Sequence, residues 1–121
     1  MISDKVILLE EAVEDLEIGR TFYDEQEEGI GAYFVASLLS DITSLHLYSG
    51  IHPIHFEFHR MLSKRFPFAV YYEAGLGVIC VVAVLDMRRN PKSIRKALEN
   101  RKSQEDAAGE PPTCPESKRP S

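Results

Sequence analysis

The chain has 121 residues, of which 44% are hydrophobic, and its 14 basic and 19 acidic residues give a net charge of -5. This length and composition fit one folded domain and exclude a chain that is disordered throughout. No apolar run approaches the roughly 20 residues of a membrane-spanning helix, and the N-terminus lacks the features of a signal peptide. Because the cysteines are limited to Cys80 and Cys114, the sequence predicts no disulfide framework and a reduced, cytoplasmic protein.

The charge is divided unevenly along the chain. Residues 1–50 hold two basic and eleven acidic residues, a net charge of -9, whereas residues 51–101 hold nine basic and four acidic residues, a net charge of +5. The basic half is suited to contact phosphates or an acidic partner protein. The negative total argues against strong nonspecific binding of nucleic acid.

The last segment differs in composition from the rest. Residues 103–121 contain four of the seven prolines and no Ile, Leu, Val, Met or aromatic residue. Such a segment buries too little apolar surface to offset the entropy lost on ordering. We therefore predict a folded domain at residues 1–101 and a disordered tail at residues 102–121.

The first half of the chain predicts one strand and two helices. Residues 5–9 are mostly apolar and indicate a short strand. Apolar residues then recur at three- and four-residue spacing up to Tyr23, which predicts an amphipathic helix with an acidic outer face. The glycines at residues 28–31 interrupt this pattern, and a second amphipathic helix follows to about Gly50. So short a joint predicts an antiparallel helical hairpin.

Three strands are predicted in the second half. Residues 54–59 and residues 66–72 each alternate between apolar and polar side chains, which indicates strands with one wet face. Residues 73–77 are typical of a turn. Residues 78–85 are apolar on both faces, as in a buried central strand.

The C-terminal part of the domain predicts a helix. Asn90 suits the N-cap and Pro91 the first position of a short basic helix that runs to about Arg101. The order of elements predicts an α+β domain whose mainly antiparallel sheet is covered on one face. Tyr71 and Tyr72 point to opposite faces of their strand, so one is expected in the core and the other on the open face.

Several segments resemble a known family in their order along the chain. Residues 66–73 read Phe-Pro-Phe-Ala-Val-Tyr-Tyr-Glu, and residues 81–91 read Val-Val-Ala-Val-Leu-Asp-Met-Arg-Arg-Asn-Pro. Both are similar to the strand motifs of the RelE/ParE family of type II toxins, of the plasmid stabilisation type. The first strand, the helical segments at residues 12–16 and 22–23, and residues 60–62 extend the resemblance over residues 4–98. It implies an N-terminal strand and helical hairpin packed on a mainly antiparallel sheet, with a short C-terminal helix.

The resemblance also implies a function. Members of this family inhibit growth and are neutralised by a cognate antitoxin protein, and no cofactor or membrane is expected. Some members cut messenger RNA in the ribosome, whereas others inhibit DNA gyrase. The sequence therefore leaves three alternatives open: an endoribonuclease, a noncatalytic gyrase inhibitor, or a degenerate interaction module.

Four arginines are the candidate catalytic residues. Arg88 and Arg89 follow the buried strand, and Arg60 and Arg65 flank the turn between the predicted second and third strands. The resemblance aligns Arg89 with the family's arginine after the last strand, where a cation would stabilise charge developing on a phosphate. The family's other arginine corresponds to Phe68, and no tyrosine follows the last strand, so the ribonuclease set is incomplete.

The same basic residues also have structural interpretations. Arg88 and Arg89 are equally suited to pair with Glu73, Asp86 or the acidic first helix. Arg60 and Arg65 are as readily explained as solvated residues of a hairpin.

Three histidines have spacings that call for comparison with a metal site. His55 and His59 share one face of the predicted strand, whereas His52 lies in a loop, and no cysteine or carboxylate completes a ligand set. We therefore predict no metal site. His59 beside Arg60 is a candidate general base in the ribonuclease alternative.

Overall fold

The computed structural model describes residues 5–75 and 77–107, with side chains described up to Arg101. The five described strands form one sheet in the order β1-β5-β4-β3-β2, in which β1 is parallel to β5 and the other pairs are antiparallel. This confirms the predicted α+β domain. The elements are β1 (Lys5–Leu8), α1 (Glu10–Gln26), α2 (Ile30–Thr43), α3 (Leu45–Tyr48), β2 (Ile54–His55), β3 (Phe58–Leu62), β4 (Phe68–Gly75), β5 (Val78–Asp86) and α4 (Pro91–Ala107).

The hairpin of α1 and α2 covers one face of the sheet, as predicted. Phe34 and Leu38 of α2 pack with Leu16 of α1 against a cluster that includes Val70 and Val81 of the sheet. The turn between the helices is held by Asp24, whose Oδ1 accepts hydrogen bonds from the N–H groups of residues 29 (3.1 Å) and 31 (2.8 Å). A Cβ at Gly31 would lie 2.4 Å from the carbonyl oxygen of Arg20, so glycine allows the two helices to approach this closely.

The stretch Ile30–Tyr48 is long and apolar enough to cross a membrane by length and composition alone. In the structure its side chains Phe34, Leu38, Ile42 and Leu45 are buried in the core. The packing of α2 and α3 in the core therefore accounts for part of their apolar character, whereas Tyr33, Leu39, Leu47 and Tyr48 are exposed.

The second face of the sheet is also covered, so the prediction of one open face is wrong. Ile94 and Leu98 of α4 pack in a cluster with Phe58 of β3 and Tyr71 of β4. Tyr71 and Tyr72 are both 0% exposed, because each contacts a different covering layer. The helix continues to Ala107, beyond the predicted end at Arg101, and residues 108–121 of the predicted tail lie outside the described residues.

The strand predicted at residues 54–59 is a hairpin. β2 and β3 pair through Ile54 with His59 and through His55 with Phe58. The chain reverses at Phe56 and Glu57, whose φ angles are +55° and +75°. Two-residue hairpin turns of this geometry favour Asn-Gly or Asp-Gly, and the absence of those residues hid the turn in the sequence.

We expect Glu57→Gly to be more stable than Glu57→Ala by about 0.5–1 kcal/mol. Both variants remove the glutamate side chain. The Cβ of alanine at positive φ costs about 1–2 kcal/mol of folded-state strain. The greater entropy of glycine in the unfolded chain offsets about 0.4–1 kcal/mol of this difference. Urea denaturation of the two variants measures the difference. Equal midpoints and slopes would show that the backbone strain at this turn is no larger than the entropic advantage of alanine over glycine.

Cys80 of β5 is 0% exposed, as expected for a central strand.

Candidate functional site

Exposed basic residues gather where β3 and β5 end and β4 begins. Phe68 at the start of β4 pairs with Asp86 at the end of β5, and the N–H of Met87 donates to the carbonyl oxygen of Pro67 at 2.8 Å. The topology therefore places the β3–β4 connection beside the residues that follow β5. We refer to the four exposed cations at this edge as the basic end of the sheet: Lys64, Arg65, Arg88 and Arg89.

A buried acid from α2 positions the β3–β4 connection. Asp41 is 8% exposed, and its Oδ2 accepts hydrogen bonds from Ser63 Oγ at 2.8 Å and from the N–H of Lys64 at 3.3 Å. The carboxylate thus serves as the hydrogen-bond acceptor for donors of this turn, in place of backbone carbonyl groups. This contact fixes the residue that precedes Arg65.

Arg88 is occupied by neighbouring side chains. Its Nε donates to Asp86 Oδ1 at 2.9 Å and its Nη2 to Asp86 Oδ2 at 2.7 Å, a two-pronged ion pair. Its Nη2 also lies 3.4 Å from the Tyr23 hydroxyl, and the guanidinium lies 5.9 Å from the centre of the Phe22 ring. The hydrogen bonds from Arg88 lower the pKa of Asp86 below its ordinary value. The structural interpretation of Arg88 is the one that these contacts support.

Arg89 stands at the joint between β5 and α4. Its Nη2 donates to Ser93 Oγ at 2.7 Å, and among the described residues no ion pair involves it. The joint is rigid because Asn90 caps α4, its Oδ1 accepting the N–H of Lys92 at 2.8 Å. Arg89 is therefore exposed on a rigid joint, and its guanidinium has further N–H groups that can donate to a ligand.

A groove of about 260 Å³ lies beside Arg89, between α1 and the end of β5. Ile18 is 68% exposed and Phe22 43% exposed along its α1 wall. The two acids of its lining are paired with Arg88 and Arg101, so the groove suits an apolar side chain followed by an acidic group that reaches Arg89. The lining residues are Asp15, Ile18, Gly19, Phe22, Phe68, Val84, Leu85, Asp86 and Arg89.

Arg60 lies apart from the basic end. It is opposite Tyr71 in the β3–β4 ladder, on the face that α4 covers, and its Nε is buried with no hydrogen-bond partner in the described part of the chain. Burial raises the pKa of Tyr71, and the charge of the neighbouring Arg60 opposes this rise. The structure thus brings Arg65, Arg88 and Arg89 to one edge and leaves Arg60 elsewhere.

His59 does not assist Arg60, because consecutive side chains of a strand point to opposite faces. The His59 ring stacks on Tyr72, with ring centres 5.0 Å apart and planes at 21°. Its Nδ1 donates to the carbonyl oxygen of His52 at 2.7 Å. The hypothesis of a His59 general base beside Arg60 is therefore wrong.

A cluster around the hydroxyl of Tyr72 has no signal in the sequence. This hydroxyl accepts the N–H of Gly50 at 2.9 Å and lies 2.5 Å from His52 Nδ1, to which it donates when the imidazole is neutral. The cluster ties the loop before β2 to the middle of the sheet. Within the described ranges, no three His, Cys, Asp or Glu side chains come together as a metal site requires.

The cluster predicts a dependence of stability on pH. Burial lowers the pKa of His52, and the nearby His59 lowers it further. Since the unfolded value is about 6.5, the unfolded chain binds more protons at pH values between the folded pKa and 6.5. The contribution of His52 is thus complete above about pH 6.5 and is lost as the pH falls toward the folded pKa.

Urea denaturation at pH 7.5 and at pH 5.5 measures this loss, with His52→Asn as the control. Asparagine places an acceptor near the Nδ1 position but does not titrate. The free energy of unfolding of this variant should fall less over the same interval. Equal losses in the two proteins would show that other groups cause the pH dependence.

The comparisons with known proteins bear on the fold. No family model matches the sequence, and no curated protein matches it. A chain of the solved structure "Chromosomal ParDE TA system from P. aeruginosa" is similar in fold, with a TM-score of 0.61 and 13% sequence identity over 68% of this chain and 94% of that chain. The overall arrangement of helices and strands thus has a counterpart in that structure. This chain has a fold similar to that of a chain from a ParDE system, as the motifs of β4 and β5 predicted.

Proposed function

We propose that this protein is the toxin component of a type II toxin–antitoxin system and that a cognate antitoxin neutralises it. The observation that carries the proposal is the fold shared with a chain of a ParDE system, together with the strand motifs of that family in this sequence. The exposed basic end of the sheet supports it, because it offers a rigid cationic surface to a cellular target.

The arrangement of the arginines favours inhibition by binding over cleavage of RNA. Cleavage needs cations around the phosphate and an acid and a base for the proton transfers. Arg88 is engaged by Asp86, Arg60 lies on the face covered by α4, and His59 points to the other face. The preferred activity is therefore noncatalytic inhibition of gyrase. Ribosome-dependent cleavage of RNA is the second candidate.

The groove beside Arg89 is the proposed contact for the antitoxin. A segment with an apolar anchor would fill the space between Ile18 and Phe22, and an acidic group beside that anchor would pair with Arg89. Arg89 would then be unavailable to the target. Charge complementarity of this kind sets association rate and partner choice.

Induced expression with and without the product of the adjacent small gene tests the toxin assignment. We expect growth arrest that the adjacent product relieves, and a stable complex of the two proteins on co-purification. Growth that continues normally, with no complex formed, would contradict the assignment. In the same cultures, DNA double-strand-break signalling supports the gyrase-directed inhibitor, whereas cleavage within translated messages supports the endoribonuclease.

A further inference from the structure

An uncharged stretch joins α2 to the turn of the β2–β3 hairpin. Residues 42–56 contain no Asp, Glu, Lys or Arg, although 27% of the whole chain is charged. Four large apolar side chains of this stretch are more than half exposed, and we refer to them as the apolar strip: Leu47 (72%), Tyr48 (53%), Ile51 (72%) and Ile54 (52%). Exposed apolar surface that is gathered in one place is typical of interaction sites.

The middle of the apolar strip is held in place by the sheet. The hydroxyl of Tyr72, a residue that is 0% exposed, accepts the N–H of Gly50 at 2.9 Å and lies 2.5 Å from His52 Nδ1. These two contacts fix the backbone on both sides of Ile51, whose own N–H donates to the carbonyl oxygen of Tyr48 at 3.4 Å. Ile51 is therefore an exposed side chain on a fixed backbone, and a partner that covers it loses little affinity to ordering of the loop.

The edge strand β2 offers backbone groups beside the apolar strip. The N–H of Arg60 donates to the carbonyl oxygen of Pro53 at 2.9 Å, so these two residues form a hydrogen-bonded pair of the hairpin. Because such pairs alternate along an antiparallel ladder, the next pair, Ile54 with His59, is not hydrogen-bonded. The N–H and C=O groups of Ile54 therefore point away from β3, toward an edge that no other strand of the described sheet covers.

The chemistry of this surface fits a second copy of the chain. Edge strands that proteins keep apart usually carry lysines or other charges, and β2 carries none. A two-fold axis beside β2 sets Ile54 of one copy opposite Ile54 of the other, where each N–H can donate to the other carbonyl oxygen. The same axis packs the two apolar strips together, so uncharged surface meets uncharged surface and no formal charge is desolvated.

The size of the apolar strip predicts the strength of this association. Four large side chains that are more than half exposed present roughly 300–600 Å² of apolar surface. Two copies together would bury roughly 600–1,200 Å², which is at the low end of specific protein–protein interfaces. This area predicts a reversible dimer that dissociates in the micromolar range.

We propose that the protein forms a symmetric dimer through the apolar strip and the outer edge of β2. The five-stranded sheets of the two copies become continuous across the axis. The groove beside Arg89 lies between α1 and β5, and β3 and β4 separate it from β2, so each copy keeps its groove open. This inference does not depend on the proposed toxin activity.

Sedimentation velocity of the unmodified full-length protein over a range of concentrations is the first test. The sedimentation coefficient should rise with concentration from the value of a monomer to that of a dimer. A protein that stays monomeric up to about millimolar concentration, well above the predicted range, would overturn the proposal.

Ile51→Glu is the second test, with Ile18→Glu as the matched control. Ile18 is similarly exposed (68%) but lies on α1, so both variants add one charge to an exposed site and should fold normally. Ile51→Glu should raise the dissociation constant of the dimer about 10-fold or more, because like charges from the two copies meet in the interface. An unchanged dissociation constant, or a larger effect of Ile18→Glu, would place the contact elsewhere and overturn the proposal.

Tyr72→Phe tests whether the fixed loop contributes, and Tyr71→Phe is its control. Tyr72→Phe removes the hydroxyl that holds residues 50 and 52 and touches no surface residue directly, so it should raise the dissociation constant about 2- to 10-fold. Tyr71→Phe removes a hydroxyl from the other face of the same strand and should leave the dimer unchanged. Equal effects of the two variants would overturn the role assigned to Tyr72, and if Tyr72→Phe does not fold, Ile51→Glu decides.

The product of the adjacent gene is the alternative occupant of the apolar strip. Co-purification of that product with the Ile51→Glu and Ile18→Glu variants separates the two occupants. A complex that is lost in Ile51→Glu and kept in Ile18→Glu, formed by a protein that is monomeric when alone, would assign the strip to that partner and overturn the dimer.

Discussion

Asp15→Ala is expected to lower the free energy of unfolding by about 3–5 kcal/mol, the range observed when one partner of a buried ion pair is removed. Asp15 is 8% exposed and joins three elements, since its carboxylate binds Arg101 of α4 and the N–H of Val84 in β5. Its loss leaves the Arg101 guanidinium without its counter-charge and the N–H of Val84 without its acceptor, in a poorly hydrated place. Urea denaturation measures the change.

Glu17→Ala is the matched control on the same helix. Glu17 pairs with Arg20 at 2.6 Å, but the two side chains are 58% and 43% exposed, and such surface pairs contribute about 0–1 kcal/mol. We expect the double variant Asp15→Ala/Arg101→Met to lose less stability than the sum of the single variants, since both remove the same interaction. A loss for Asp15→Ala no larger than that for Glu17→Ala would show that the buried pair is unimportant.

Arg89→Ala is expected to abolish growth inhibition and to leave the melting temperature almost unchanged. Removing an arginine that anchors an interface costs about 2–4 kcal/mol of binding, which is roughly a 30- to 1,000-fold loss of affinity for the target. An exposed arginine that donates to Ser93 Oγ should contribute less than about 1 kcal/mol to stability. Growth of expressing cells and thermal unfolding of the purified protein measure the two effects.

Two further variants separate charge from geometry at Arg89. Arg89→Lys keeps the charge but loses the planar, forked donor group, so it should restore growth inhibition only in part. Arg88→Ala removes a neighbouring arginine that already pairs with Asp86, so it should act mainly on stability. If Arg89→Ala unfolds the protein, Arg89 has a structural role and is not a contact for the target.

The parts of the fold that depend on local periodicity could be predicted from the sequence. Apolar residues recur every three to four positions in helix α1, alternate with polar residues in strand β4, and form a continuous run in strand β5. The β2–β3 hairpin could not, because Phe56 and Glu57 take positive φ angles that their residue types do not signal. The second covered face was missed because two apolar residues, Ile94 and Leu98, are hidden among the charged residues of α4.

The candidate site could be predicted only in outline. The motif after β5 identifies Arg88 and Arg89, and the sequence leaves open the pairing of Arg88 with Asp86, two residues away. The Asp15–Arg101 pair joins residues 86 positions apart, and nothing in the local pattern around either residue indicates burial. The cluster of Tyr72, His52 and Gly50 likewise forms through folding of a loop onto the sheet.

β1 pairs with β5 only as far as Val81, so the edge of β5 beyond Val81 has no strand partner on that side. Asp15 and Arg101 lie on this open edge, and they also bear on self-association. Val78–Leu85 is a continuous run of apolar and mostly β-branched residues, the kind of segment that recruits further strands into fibrils when its backbone is unpaired. Asp15 and Arg101 occupy the N–H of Val84 and the carbonyl oxygen of Val82 on that edge, and they place formal charges where an incoming strand would have to dock. The same contacts that fasten the helices thus keep neighbouring molecules from adding to the sheet, and a chain that loses them would precipitate at concentrations that the intact protein tolerates.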